Sequence, residues 1–242
     1  MIPWAEICRA PVPESSQELA LFRRGEEYSI RLNSVELMNS RSTGSETALA
    51  DLACDRLPGH RSPSVLIGGL GMGYTLAAVL RRLDARARVV VAELVPTVVE
   101  WVRGPLAELA GRPLDDPRVS VEERDVAQLI GAAPAAWDAI LLDVDNGPQA
   151  LTRPANDGLY SRPGLDAALL ALRPGGVLAV WSAEEDRAFD KRLGQAGFAV
   201  HRSRVRSREA SRGAHHHVWV ALRPDAVPSP SRPRRKHSRK DR

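Results

Sequence analysis

The chain is poor in cysteine and has no long apolar run. Its 242 residues include only Cys8 and Cys54, too few for a disulfide framework and without metal-ligand spacing, so we expect a reduced, cytoplasmic setting. No apolar run approaches the roughly 20 residues of a membrane-spanning helix, and the first residues lack a basic segment followed by an apolar one. We therefore expect neither a signal peptide nor a membrane contact.

Several catalytic patterns are also missing. The sequence has no Gly-x-Ser-x-Gly element of a hydrolase and no Walker-type Gly-Lys-Ser/Thr. His215, His216 and His217 are consecutive, but only the first and third can share one face of a strand. Because no Asp, Glu or Cys pattern accompanies them, we expect no metal site.

The net charge of +4 is confined to the C-terminal end. From Asp225 to Arg242 there are seven Lys or Arg and two Asp, so this segment carries +5 and the remainder carries −1. A Pro/Ser/Arg composition cannot form a core. We predict a disordered basic tail over 224–242, with weak nucleic-acid contacts at most.

From residue 64 onward the pattern alternates between strand and helix. Strands are predicted at 65–67, 88–94, 118–122, 137–143 and 176–182. Residues 89–91 and 140–142 are unbroken apolar runs, as expected for strands that are buried on both faces. Helices are predicted between and after them, at 75–83, 96–110, 126–130, 162–172 and 184–196. The last two strands, 198–207 and 215–222, have no helix between them and predict an antiparallel hairpin. This order indicates an α/β fold with a Rossmann-like, doubly wound seven-stranded sheet of the class I methyltransferase type.

The first 63 residues predict a smaller unit. Segment 27–32 alternates polar and apolar residues and pairs with 35–38 in a hairpin. A helix is predicted over 46–57, with Ser45 as its N-cap and Pro58-Gly59 as its end. We thus divide the chain into an N-terminal hairpin and helix segment (1–63), a nucleoside-binding catalytic domain (64–223) and the tail (224–242).

Three glycines mark the predicted cofactor site. Gly69, Gly71 and Gly73 follow the first apolar run and precede an amphipathic helix. Glycine is needed where the backbone touches a ligand or takes a positive φ, and a glycine-rich strand-to-helix turn marks the nucleotide crevice of a doubly wound sheet. The spacing is tighter than that of a dinucleotide fingerprint and is more typical of sheets that bind S-adenosylmethionine.

Two acids follow the next two strands. Glu93 lies 20 residues after Gly73, where an acid accepts hydrogen bonds from both ribose hydroxyls; the alternative is a surface carboxylate. Asp125 is placed to meet the adenine amino group, with Val126 against the ring. Asp125 can also cap the helix that follows, and both roles are compatible.

Asp143 and Asp145 follow the fourth strand, before Gly147-Pro148. They are either part of an Asx-turn or a catalytic pair at the crevice. An amine attacks an electrophilic carbon only when it is unprotonated. With an amine pKa near 10, this costs about 4 kcal/mol at pH 7. Asp143 could take that proton, and Asp145 could hold the distal ammonium of a diamine.

Several segments together resemble the spermidine synthase family, the polyamine aminopropyltransferases of the S-adenosylmethionine-dependent methyltransferase-like superfamily. The matching segments are 65–73, 91–94, 116–119 leading to Asp125, 137–143 with 147–148, and 172–178. The resemblance implies that Glu93 binds ribose, Asp125 binds the adenine end and Asp143 deprotonates the amine. It also implies decarboxylated S-adenosylmethionine as cofactor, putrescine as co-substrate and a homodimer.

The sequence departs from the family where carboxylates are concerned. Leu70-Gly71-Met72 has no acid where the family's glycine loop carries an Asp, Val95 replaces a second Asp, and Asp145 matches the family's pattern only loosely. We predict a transferase that moves an aminopropyl group from an adenosyl sulfonium cofactor to a small-molecule amine. The alternatives are a methyltransferase that uses S-adenosylmethionine and a non-catalytic nucleoside-binding protein.

Overall fold

The structure is a computed structural model. It describes residues 2–13, 15–57, 62–144, 147–148, 158–207 and 214–225. Residues 226–242 of the predicted basic tail lie outside the described residues.

The N-terminal part forms a four-stranded antiparallel sheet in the order β1-β2-β3-β4. Its strands are β1 (Ala5–Pro11), β2 (Glu18–Arg24), β3 (Glu27–Leu32) and β4 (Val35–Asn39). The predicted β3–β4 hairpin is confirmed, but the prediction omitted two strands. β1 buries only Ala10, so its apolar pattern is weak. β2 buries three consecutive residues and lacks the alternation that identifies a half-buried strand.

Helix α1 (Gly44–Cys54) follows this sheet. The prediction that Ser45 is its N-cap is wrong, because Thr43 occupies that position and makes no side-chain cap. Ser45 lies inside the first turn, where its hydroxyl donates to the carboxylate of Glu46 over 2.7 Å. The predicted stop, Pro58-Gly59, lies outside the described residues.

The central sheet confirms the predicted seven strands. They are β5 (Ser64–Gly68), β6 (Arg88–Ala92), β7 (Val119–Glu122), β8 (Trp137–Leu142), β9 (Leu172–Ser182), β10 (Ala199–Arg206) and β11 (His215–Leu222). Their order is β10-β11-β9-β8-β5-β6-β7. Strands β5 to β9 pair in parallel, and β10 and β11 form the antiparallel hairpin at one edge.

Helices connect the parallel strands. They are α2 (Tyr74–Arg82), α3 (Pro96–Arg103), α4 (Val126–Ala132) and α5 (Arg162–Ala171), followed by α6 (Arg187–Gln195). The predicted helix over 96–110 is wrong in its length. It ends at Arg103 because Gly104 precedes a proline, which lacks an N–H and disfavours helical backbone before it. A short 3-10 turn, Ala107–Ala110, follows.

Alternate residues of the central strands face two buried layers. One layer contains Ile67 and Leu141 together with apolar side chains of the N-terminal sheet and α1 to α3. The other contains Leu66 and Ile140 with side chains of α4 to α6. Burial on both faces explains the continuous apolar runs in these strands. Among the described residues, no helix is both long and apolar enough to cross a membrane.

Candidate active site

A cavity of about 420 Å³ opens at the carboxyl ends of β5, β6 and β8. β5 lies between β6 and β8, so this is the point where the strand order reverses and where ligands bind in doubly wound sheets. The N-terminal sheet forms the opposite wall through Leu19, Ile30 and Met38. Among the described residues, five acids line the cavity: Glu36, Glu46, Glu93, Asp125 and Asp143.

The three glycines of the loop have two different roles. Gly69, Gly71 and Gly73 all have positive φ values, of 86°, 52° and 85°. Gly69 and Gly71 line the cavity, and their contact with a cofactor stays a prediction. Gly73 instead sits at the N-cap of α2, where a Cβ would approach Pro113 at 3.0 Å, so it does not line the cavity.

Gly69 is required by the close approach of the chain after β8. A Cβ built on it would overlap the carbonyl oxygen of Asp143. The amide of Asp143 in turn donates to the carbonyl of Gly68 over 2.9 Å. The bare backbone at position 69 therefore lets Asp143 lie beside the glycine loop.

Glu93 ties the glycine loop to the end of β6. Its two oxygens accept the N–H groups of Leu70 and Val95, each over 2.9 Å. Burial raises the pKa of Glu93, and these backbone donors oppose the rise. The side chain is buried and lines the cavity, which excludes the surface-carboxylate alternative. Each oxygen keeps a lone pair that could accept a ribose hydroxyl.

Asp125 caps α4, because its Oδ1 accepts the N–H of Ala127 over 2.8 Å. The same residue lines the cavity, and so does the buried side chain of Val126. The cap and a ligand contact are compatible here, since a carboxylate has several acceptor sites. The adenine contact stays a prediction.

Asp143 is a partly buried acid held by one hydroxyl. Its Oδ2 accepts the Oγ1–H of Thr75, in the first turn of α2, over 2.5 Å. Burial raises the pKa of Asp143 to about 6, and the Thr75 hydrogen bond opposes the rise. The other member of the predicted pair, Asp145, lies outside the described residues, and so does the predicted Asx-turn.

Glu46 was missed by the sequence reasoning. It lies in the first turn of α1, lines the cavity and is buried. Burial raises its pKa to about 7, with repulsion from Asp143 as the second cause. A signal existed: Glu46 shares the helix face of Leu49, Ala50 and Ala53, which are all buried. A carboxylate that continues an apolar stripe indicates a buried acid.

A serine and a histidine adjoin Glu46. His216 Nδ1 lies 2.9 Å from the hydroxyl oxygen of Ser45, which itself donates to Glu46. The His216 ring packs edge-on against Trp181, with centroids 4.8 Å apart. Burial lowers the pKa of His216, and His217 and His215 lower it further. In the part of the chain that the structure describes, no group of three or more His, Cys, Asp or Glu could hold a metal ion.

The strand order and the cavity define a Rossmann-like fold of the methyltransferase type. Residues 48–192 match the spermine/spermidine synthase domain, and the chain belongs to the spermine/spermidine synthase family. Spermidine synthase from Thermotoga maritima shares this fold, with a TM-score of 0.70 and 19% identity over 91% of this chain and 74% of that one. Spermidine synthase in complex with the transition state analogue AdoDATO gives the same TM-score at 18% identity, over 91% and 73% of the two chains.

Curated relatives carry two kinds of name. Polyamine aminopropyltransferase 2 of Pseudomonas aeruginosa is 37% identical over 54% of this chain and 37% of its own length. Polyamine aminopropyltransferase of Mycobacterium tuberculosis is 34% identical over 68% of this chain and 30% of its own length. Putrescine N-methyltransferase 4 of Nicotiana tabacum is 37% identical over 47% of this chain and 28% of its own length. The chain thus matches only about a third of the length of these relatives.

Substitution of Gly69 tests the packing between the glycine loop and Asp143. We expect Gly69→Ala to destabilise the protein by at least about 2 kcal/mol. Alanine would have to adopt a positive φ, and its Cβ would push against the carbonyl oxygen of Asp143; local strain of this kind costs about 1–3 kcal/mol. Urea unfolding measures the change. Gly131→Ala is the control. Nothing lies within 4 Å of a Cβ added at this position, and alanine should stabilise α4 by about 0.5–1 kcal/mol. Equal stabilities of the two variants would contradict the packing.

The raised pKa values of Asp143 and Glu46 predict that folding stability falls as pH rises. Because their folded pKa values, about 6 and about 7, exceed the unfolded values, the folded state binds more protons between roughly pH 4 and 7. Their stabilising contribution is complete at low pH and is lost as pH rises through these values. Urea unfolding at pH 5 and pH 8 measures the free energy of unfolding. Its decrease between the two pH values should be about 1–2 kcal/mol smaller for Asp143→Asn than for the wild type.

The control for this pH measurement is Asp115→Asn, a change at an exposed carboxylate that pairs with Arg112 on the surface. It should follow the wild type at both pH values. An Asp143→Asn variant with the same pH dependence as the wild type would show that folding does not raise the pKa of Asp143.

Proposed function

We propose that the protein transfers an aminopropyl group from decarboxylated S-adenosylmethionine to a small-molecule amine. The observation that carries this proposal is a partly buried acid of raised pKa, Asp143, in an acid-lined cavity at the switch point of the sheet. Membership of the spermine/spermidine synthase family supports it.

The nucleoside end would occupy the side of the cavity near β6. There Glu93 would accept the ribose hydroxyls, and Asp125 and Val126 would contact adenine. Gly69 and Gly71 would lie against the cofactor with bare main chain. The buried position of Glu93 and its two fixed oxygens favour this placement.

Asp143 would serve as the general base for the amine. The ammonium gives a proton to the carboxylate, the nitrogen lone pair attacks the carbon next to sulfur, and the carbon–sulfur bond electrons stay on sulfur. The higher pKa makes this proton transfer easier. With its pKa near 6 rather than 3.8, the transfer from an amine of pKa near 10 is less uphill by about 3 kcal/mol.

The charge of the cavity favours the decarboxylated cofactor. Five acids and one arginine, Arg124, line it in the part of the chain that the structure describes, and Arg124 is paired with Glu122 over 2.7 Å. A cofactor carboxylate would add a further negative charge beside buried acids, which is unfavourable in a site of low dielectric. A cationic side chain without a carboxylate avoids this repulsion.

A methyltransferase is the second candidate. Leu70-Gly71-Met72 carries no acid to hold the amine of an aminopropyl chain, and the relatives include putrescine N-methyltransferase 4 of Nicotiana tabacum. Asp143 would deprotonate the amine in either reaction. The two functions differ in the cofactor rather than in the base.

A homodimer, a cytoplasmic setting and weak nucleic-acid contacts of the tail stay predictions. The division of the chain into segments 1–63, 64–223 and 224–242 is likewise a proposal. The amine itself is proposed only as a class, a small polyamine or diamine that enters as a cation.

Calorimetric titration with both cofactor forms tests the function. We expect tighter binding of decarboxylated S-adenosylmethionine, because the acid-lined cavity repels the carboxylate of the other form. A preference for S-adenosylmethionine would favour the methyltransferase, and binding of neither would leave the non-catalytic alternative. Product analysis with putrescine and spermidine then reports which group is transferred.

The base is tested by Asp143→Asn. We expect cofactor affinity to be kept and turnover to fall about 100-fold, the usual scale for a lost general base. Steady-state kinetics and calorimetry on the same preparation measure both quantities. Asp166→Asn, an exposed change on α5, is the control. Full activity of Asp143→Asn would remove Asp143 from the mechanism.

A further inference from the structure

Two acids from distant parts of the chain meet at one cavity, and neither forms an ion pair with a described residue. Glu46 comes from α1, and Asp143 follows β8. Their hydrogen-bond partners are the hydroxyls of Ser45 and Thr75. Among the described residues, neither carboxylate has an arginine or lysine partner.

The described groups that adjoin Glu46 are neutral or acidic. Tyr74 of α2 is partly buried, and its raised pKa comes from desolvation first and from the charge of Glu46 second. His216 of β11 reaches Glu46 only through Ser45. Glu36 of β4 lies on the opposite wall of the cavity. No positive charge on these elements therefore neutralises the pair.

We propose that Glu46 is a second acid of the amine site, whose negative charge beside Asp143 makes Asp143 a stronger acceptor for the proton of the amine. This inference rests on the proposed function. It also identifies an acid for the cationic substrate in a chain whose glycine loop, Leu70-Gly71-Met72, has none.

The physical reason is like-charge repulsion in a buried place. When two carboxylates share a site, the second proton is removed only at higher pH, so the pair keeps one proton near neutral pH. A proton arriving from the amine relieves the repulsion. Burial and this repulsion raise the pKa of Glu46 to about 7, so the fully ionised pair is reached just above neutral pH.

Ser45 and His216 position this charge. The Ser45 hydroxyl donates to Glu46 Oε2 over 2.7 Å, a hydrogen bond that stabilises the ionised carboxylate and opposes the rise of its pKa. His216 contacts the same hydroxyl oxygen and restricts its rotation. Loss of the hydroxyl should therefore raise the pKa of Glu46 further.

Two variants should shift the pH dependence of amine transfer in opposite directions. Glu46→Gln leaves Asp143 as a lone acid, so the acidic limb of kcat/KM for the amine should move down by about one pH unit and the plateau should fall at least about 10-fold. Ser45→Ala should move the limb to higher pH. Glu108→Gln, an exposed change that breaks only a surface pair with Arg112, should leave the profile unchanged.

A structural role alone would lower the rate without moving the limb, and that outcome would overturn the proposal. A Glu46→Gln plateau equal to the wild type would also overturn it. Thermal melting checks that each variant is folded. If Glu46→Gln does not fold, Ser45→Ala tests the proposal: a shift of the acidic limb to higher pH supports it, and no shift or a shift to lower pH overturns it.

A titration without substrate separates this proposal from the proposed function. Difference infrared spectroscopy follows the protonated carboxyl band of the wild type, Glu46→Gln and Asp143→Asn. We expect a carboxyl in the wild type that stays protonated to about pH 7, and a lower titration midpoint for the acid that remains in each variant. Unshifted midpoints would contradict the pair, whereas shifted midpoints with no transfer to any amine would refute only the function.

Discussion

The contact between Gly69 and the carbonyl of Asp143 is the constraint on which the site depends. No other residue type fits there, because a Cβ would overlap that carbonyl and φ is positive. The contact draws the ends of β5 and β8 together, while Glu93 fixes the loop from the β6 side through two backbone N–H groups. The proposed ligand contacts and the proposed general base are thus positioned by the same few main-chain atoms.

The site concentrates buried acids, an arrangement that opposes folding. A carboxylate removed from water without a cation loses solvation. The protein compensates with a hydroxyl donor at Asp143 and at Glu46 and with two amide donors at Glu93. The result is a set of raised pKa values. Such local violations of the usual rules are typical of functional sites, where a cationic substrate can restore the balance of charge.

The central sheet was predictable because its strands are buried on both faces. Continuous apolar runs followed by glycines or acids identify such strands and the residues at their carboxyl ends, which is why Glu93, Asp125 and Asp143 were found. The N-terminal sheet was only half predicted, since β1 is mostly exposed and β2 is buried without alternation. The end of α3 was misplaced because the apolar pattern continues past Gly104 into a 3-10 turn.

The sequence by itself determined the α/β fold, the glycine loop and the acids that follow the parallel strands, because these depend on local pattern and on the shared polarity of the strands. Only the tertiary structure decided that Gly73 belongs to the helix start and that Glu46 and Asp143 line the same cavity. A local pattern specifies which face of α1 is buried but not which element covers it. That partner follows from how the N-terminal sheet and α1 pack over the central sheet, and this packing brings the two acids to one cavity.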